Sequence, residues 1–215
     1  MYAIVRKLRK VIYNHRFRSQ LELRVAGEFP RDSEKHRVLM TAIDMVSETH
    51  DHGRRLDGNL LKSHEFAMFA IAFVHCGIRD LSILLAILLH DMHEDYPEIW
   101  SLDLIAERYG QQVAVIVHAV TKPERQFFLT EEEFEDAIFD RVSHGGVSAI
   151  KVKSIDRLHN MLTLYGEPVK KMRKVIQTIK YVMPLSAELE FLTYELTLAT
   201  AEQMTRLKKH KTSSG

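Results

Sequence analysis

Leu81-Ser82-Ile83-Leu84-Leu85-Ala86-Ile87-Leu88-Leu89-His90-Asp91-Met92-His93-Glu94-Asp95 is the stretch on which the reading of this chain turns. From Ile83 to Leu89 every residue is apolar. A helix apolar nearly all round belongs in the centre of a fold. The run is also far short of the roughly 20 residues a bilayer span needs. It then runs straight into ionisable residues. Burying such groups costs several kcal/mol unless they are paired or bind a metal. At about 100° per residue, His90, Asp91, Glu94 and Asp95 fall within roughly a 140° arc. One imidazole and several carboxylates can therefore converge on one side. Taken alone, a helix end that surfaces and is solvated accounts for the same residues.

The flanking sequence is helical throughout. Leu, Ala, Met, Glu, Lys and Arg dominate, and β-branched alternation is scarce. A basic first helix is expected from Tyr2 to about Val25, stopped by Gly27 and Pro30. A second runs from an Asp32-Ser33 cap to about His50. Asp51 to Lys62 reads as a polar loop, and Ser63 as the cap of a third helix that ends at Gly77. The central helix starts at Asp80. Ser101 caps a helix closed by Gly110. Gln111 to Val120 is β-branched enough to suggest a strand, but its context makes it helix. Thr130 with Glu133 is a capping box. Gly145-Gly146 precedes a helix from Val147 to Leu164. Two more, about Pro168–Tyr181 and Leu185–Lys209, complete an all-α fold.

A second constellation lies on the helix after Gly146. Lys151-Val152-Lys153-Ser154-Ile155-Asp156-Arg157-Leu158-His159-Asn160-Met161 places Asp156 and Asn160 four apart, on one face. In order along the chain stand Thr49-His50 with Arg55 and Gly58, then His64, Leu88-Leu89-His90-Asp91-x-x-Glu94-Asp95, Tyr109-Gly110 through Val120-Thr121-Lys122, the Lys153-to-Met161 block, and Pro184-Leu185-Ser186. His64 follows His50 by 14 residues and precedes His90 by 26. This ordered set, from about Thr41 to Leu189, resembles the HD-domain phosphohydrolases. It is most similar to the (p)ppGpp hydrolase domain of RelA/SpoT proteins and to their small metazoan homologues.

The resemblance implies an HD-domain helical bundle with a basic N-terminal helix. It implies that His64, His90, Asp91 and Asp156 hold one Mn²⁺, with Zn²⁺ or Fe²⁺ also suited to imidazole and carboxylate donors. It implies that Glu94 and Asp95 orient and deprotonate an attacking water, and that Arg55, Lys153 and Asn160 hold a guanosine alarmone. The reaction implied is removal of the 3′-pyrophosphate of (p)ppGpp. The chain departs from the family pattern at three places. Leu56 stands where the family has Lys, Glu65 where it has Pro after the metal histidine, and Leu60-Leu61-Lys62 replaces a Thr-Pro-Tyr or Glu-Pro-Tyr run. Two other readings use the same residues. One is an HD enzyme for another nucleotide, an NADPH phosphatase or a deoxynucleotide hydrolase. The other is a non-catalytic nucleotide- or partner-binding module.

Charge refines these expectations. The 215 residues carry 30 Lys and Arg against 29 Asp and Glu, a formal net charge of +1, which excludes a uniformly basic nucleic-acid binder. That total hides a cancellation. Residues 1–30 hold seven basic residues against two acids, whereas residues 31–205 hold 19 against 27. The domains expected are a basic helical extension over 1–30, the hydrolase over 31–205, and a basic tail over 206–215. The extension could contact nucleic acid or an acidic protein, or pack Ile4, Val5, Leu8, Val11 and Ile12 on the body. Attraction of a polyanionic nucleotide must then be local. The single cysteine, Cys76, excludes an intrachain disulfide framework and fits a reducing, cytoplasmic setting. No secretory signal or membrane anchor is expected. No synthetase domain is expected either, for want of length.

Overall fold

The computed structural model describes residues 3–50 and 62–212. Among these there is no strand, as expected. The helices are α1 (Ala3–Asn14), α2 (Arg18–Glu28), α3 (Glu34–Thr49), α4 (Lys62–Ala70), α5 (Leu81–Asp95), α6 (Leu102–Tyr109), α7 (Gln111–Val120), α8 (Glu131–His144), α9 (Gly146–Leu162), α10 (Pro168–Gln177), α11 (Met183–Glu188) and α12 (Thr193–Thr212). The wider π-helical turns Ile71–His75 and Thr178–Val182 extend α4 and α10.

The central position of α5 follows from its sequence. It packs against α3, α4, α6, α7 and α9, so it has neighbours on every side. Ile83 through His90 are all buried. Fully burying one leucine contributes about 2 kcal/mol, so this run is the main apolar anchor of the bundle. Asp80 starts it by accepting a hydrogen bond from the Ile83 N–H at 3.1 Å. The next helices keep the expected signals. Ser33 and Ser101 cap α3 and α6, Gly110 turns between α6 and α7 at φ +100°, and both arms of the Thr130–Glu133 box form. The segment Gln111–Val120 is helix, buried along Val113, Ala114, Ile116 and Val117.

Three boundaries differ from the sequence expectation. The basic N-terminal helix is two helices broken at His15–Phe17. The His15 ring caps the end of α1, its Nδ1–H donating to the Val11 carbonyl at 2.7 Å, while Arg24 donates to its Nε2 at 2.8 Å. The chain then restarts at Phe17, whose N–H donates to Gln20 Oε1. Val5, Leu8, Leu21 and Val25 are fully buried in the same core as the later helices. Arg9 ties α1 to the Leu162 carbonyl that ends α9 and to Glu202 of α12. Secondly, Ser63 lies inside α4, which already includes Lys62. Thirdly, the expected Leu185–Lys209 helix is interrupted before Thr193. Glu190 and Leu192 take positive φ, +50° and +59°, and Ser186 satisfies the turn through the Phe191 carbonyl.

Candidate metal centre

Three helices deliver the centre. α4 carries His64, the end of α5 carries His90 and Asp91, and α9 carries Asp156. His64 Nε2 lies 3.4 Å from Asp156 Oδ1 and 3.7 Å from Asp91 Oδ2. His90 Nε2 lies 3.0 Å from Asp91 Oδ1. His64, His90 and Asp156 offer ligand atoms all within 4.8 Å of one another. An ion with bonds of about 2.1 Å places its donors roughly 3–4.2 Å apart. His64, His90 and Asp156 thus form a buried group that could hold a metal ion, and Asp91 lies against both imidazoles.

Both imidazoles are pre-set for that task. The His90 Nδ1–H donates to the Ile87 carbonyl at 2.9 Å, one turn back in α5. His64 Nδ1 lies 2.7 Å from Nδ1 of His159. Each ring thus has its outer nitrogen engaged and its Nε2 turned inward, the arrangement by which neighbours fix the tautomer of a ligating histidine. His159 is buried and lies three residues after Asp156 on α9. It was missed as a site residue, although that i, i+3 spacing already placed it beside Asp156.

The carboxylates are charged here for identifiable reasons. Burial favours protonation of Asp156, but Lys153, His64 and Arg157 outweigh it and hold its carboxyl well below the usual range. Burial opposes the Asp91 charge too, and His90 and His64 reverse it. Burial disfavours a charged His90, yet Asp91 and Asp156 raise its proton affinity.

Other expected site residues fall in different places. Lys153 is buried, with Nζ 3.1 Å from Asp156 Oδ2, and Asn160 donates to Asp156 Oδ1 at 2.5 Å. Two of the three residues expected to hold substrate thus contact the Asp156 carboxylate. The reason is local: positions i−3 and i+4 share the face of α9 that Asp156 occupies. Glu94 is half-buried and is bound by the Lys122 ammonium, so the basic residue closing the Val120-Thr121-Lys122 block meets the acid one turn beyond the centre. Asp95 is 44% exposed, at the open edge. Burial, Asp91 and Glu94 all raise its proton affinity. Arg55, Leu56, Gly58, Leu60 and Leu61 lie outside the described residues.

Two further groups were not expected. Glu65, buried beside His64, has Oε1 2.8 Å from Nδ1 of His50, which is itself fully buried. Burial alone would lower His50, but Glu65, Asp91 and Asp95 raise it. On α10, the exposed Lys174 is pushed down to about 8 by loss of surrounding water and by the nearby Arg157 charge. His93 donates to the Trp100 carbonyl at 2.8 Å, and Trp100 is buried, so both serve packing.

No family model matches the chain. It is 31% identical over 156 residues to a probable GTP pyrophosphokinase of Mycobacterium leprae, covering 71% of this chain and 19% of that one. It is 30% identical over 150 residues to the guanosine-3′,5′-bis(diphosphate) 3′-pyrophosphohydrolase of Haemophilus influenzae, covering 67% of this chain and 21% of that one. The bifunctional (p)ppGpp synthase/hydrolase SpoT of Escherichia coli matches at 30% over 165 residues, 74% of this chain and 22% of that one. The chain spans about a fifth of the length of these curated relatives. Among solved structures, one described as a metazoan ortholog of SpoT that hydrolyzes ppGpp superposes with a TM-score of 0.63 at 21% identity, covering 83% of this chain and 97% of the other. With the histidine and aspartate side chains gathered on one helical bundle, the sequence likenesses place the chain in the RelA/SpoT family, and the structural likeness shows the same helical fold.

Proposed function

We propose that the chain is a metal-dependent (p)ppGpp hydrolase that removes the 3′-pyrophosphate to leave GDP or GTP. The observation that carries this reading is the inward Nε2 pair of His64 and His90 closing on Asp91 and Asp156, with Glu94 and Asp95 one turn further along α5. The likeness to relatives named for this reaction supports the guanosine substrate.

A divalent ion, Mn²⁺ in our reading, supplies a water of lowered pKa and neutralises phosphate charge. The protein supplies the rest. Asp95, at the open edge, accepts the proton of the attacking water. Glu94, held by Lys122, fixes the line of approach to the phosphorus bonded to the ribose 3′-oxygen. Lys153 and Asn160 position Asp156. The body over residues 31–205 is acidic, so a polyanion must be drawn locally. Lys122 and Lys174 lie near enough to the centre to feel Asp156, and we assign them that role. Residues 31–205 form the hydrolase unit in this reading, buttressed by α1 and α2, with a basic tail beyond it. We place the protein in the cytoplasm, a reducing setting that its single cysteine suits. Among the described residues no helix is long and apolar enough to cross a membrane.

The test is product analysis with Mn²⁺ across ppGpp, pppGpp, NADPH and deoxynucleoside triphosphates. Release of pyrophosphate from ppGpp, abolished by chelation and by Asp156→Ala, is the expected result. Turnover of NADPH or a deoxynucleotide with ppGpp untouched would replace the substrate. Tight ppGpp binding without turnover would make the protein a sensor.

A further inference from the structure

Glu65 is a costly residue where it stands. It is 1% exposed, on the interior face of α4, directly after a proposed metal ligand. A buried carboxylate without a partner costs several kcal/mol, and an apolar side chain would pack there without that cost. Its contact is the ring of His50, which ends α3 and is 0% exposed. The opposite ring nitrogen, Nε2, points the other way, to Oδ2 of Asp95 at 4.0 Å. Tyr96 covers the ring at a centroid distance of 5.7 Å. One imidazole thus stands between a carboxylate locked in the core and a carboxylate at the open edge of the site.

A ring held between two acids has few orientations. With an acid facing each nitrogen the ring carries both protons, Nδ1–H toward Glu65 and Nε2–H toward Asp95, and packing by Tyr96 limits rotation. What remains is an Nε2 directed at Asp95. The 4.0 Å separation is an ion-pair contact, about 1 Å beyond a hydrogen bond. Catalytic contacts of this length commonly tighten when substrate arrives. Asp95 needs a tether of this kind. It is 44% exposed, it follows Glu94, and both Asp91 and Glu94 repel it.

We propose that Glu65 and His50 form a buried positioning pair that aims Asp95, with Glu65 fixing the ring and His50 Nε2 holding the Asp95 carboxylate toward the attacking water. Neither residue touches substrate; both act through Asp95. The proposal rests on the reading above that Asp95 takes the proton of the water.

The experiment uses the full chain with Mn²⁺ and ppGpp, and the variants His50→Gln, Glu65→Leu, Glu65→Gln, Asp95→Asn and His50→Gln with Asp95→Asn. Loss of a supporting partner of this kind costs about 10-fold or more. The expected result is a kcat about 10-fold lower at unchanged KM for His50→Gln and for Glu65→Leu. Glu65→Gln, which keeps an oxygen for the ring N–H, stays within about 3-fold of the parent. His50→Gln adds no further loss once Asp95 is Asn, as coupled residues require. Additive losses, or equal damage from Glu65→Leu and Glu65→Gln, would overturn the proposal. A second measurement is independent of turnover. In the chain loaded with diamagnetic Zn²⁺, the ¹⁵N resonance of His50 Nε2 must move on Asp95→Asn, a change at a partly exposed position. An unmoved resonance overturns the positioning pair. If the parent leaves ppGpp intact while the resonance does move, the substrate assignment fails and the pair stands.

Discussion

His64 and His159 meet nitrogen to nitrogen, Nδ1 to Nδ1 at 2.7 Å, with ring centroids 4.8 Å apart. One ring must donate and the other accept, so each sets the other's tautomer. Because His64 presents its Nε2 to Asp156 and Asp91, the orientation of a proposed ligand depends on a residue outside the proposed donor set.

His159→Ala should therefore lower affinity for Mn²⁺ or Zn²⁺ by about 10- to 100-fold, the usual cost of losing the neighbour that orients a ligating histidine. His159→Gln, which keeps a polar partner for Nδ1, should fall between. Titration calorimetry of the metal-stripped chain decides it. Unchanged affinity in His159→Ala would show that His64 needs no such support.

Asp156→Ala tests the same centre through stability. In the parent the Asp156 charge is favoured despite burial, mainly by Lys153, whose ammonium lies 3.1 Å away and is itself buried. Removing one partner of a buried pair leaves the other charge stranded, at a cost of about 3 kcal/mol. The metal-free variant should unfold at correspondingly lower urea. A ligand that binds only the native state raises the midpoint of melting. Added Zn²⁺ should thus raise Tm in the parent and leave it unmoved in Asp156→Ala.

The centre was legible in the sequence where it depends on spacing and on helix position. An apolar run on all faces can only be a central helix, and His90 and Asp91 at its end had to be near the middle of the molecule. What was not legible depends on contacts across helices. Lys153 and Asn160 read as candidates to hold substrate, and their contacts with Asp156 emerge only from the folded α9. Glu65 reads as a loss of proline, and only packing of α3 on α4 shows its partner to be His50. The breaks at His15–Phe17 and at Glu190–Leu192 involve neither Gly nor Pro. The first is made by a side chain turning back on its own helix, and the second by two non-glycine residues at positive φ.

Cys76 follows the π-helical turn after α4, where burial and the Glu195 charge push its thiol up to about 12. Since the thiolate is the reactive form, little of it is present at pH 8. Alkylation by iodoacetamide should be slow in the folded chain and should rise at least tenfold in denaturant. Mass spectrometry over time gives both rates. Equal rates would mean that this part of the fold opens readily.

The neighbouring pair gives a prediction in pH. The His75 Nε2–H donates to Glu195 Oε1 at 2.9 Å, joining the turn after α4 to the start of α12. That hydrogen bond is the main reason the Glu195 carboxyl lies below its ordinary value, and it outweighs the opposing effect of burial. A carboxyl lowered in the folded state binds fewer protons there than in the unfolded chain, so stability rises with pH across the interval between the two values. The contribution is complete above the unfolded value of about 4.3 and is lost as pH falls through the folded one. Glu195→Gln should therefore cost roughly 1–2 kcal/mol at pH 7, as expected for a charge-assisted hydrogen bond. The gap between parent and variant should close as pH drops below about 4. Urea midpoints at pH 7, 5 and 3.5 follow the difference directly, and a gap of constant size down to the lowest pH would show that the Glu195 charge contributes nothing to joining α12 to the body.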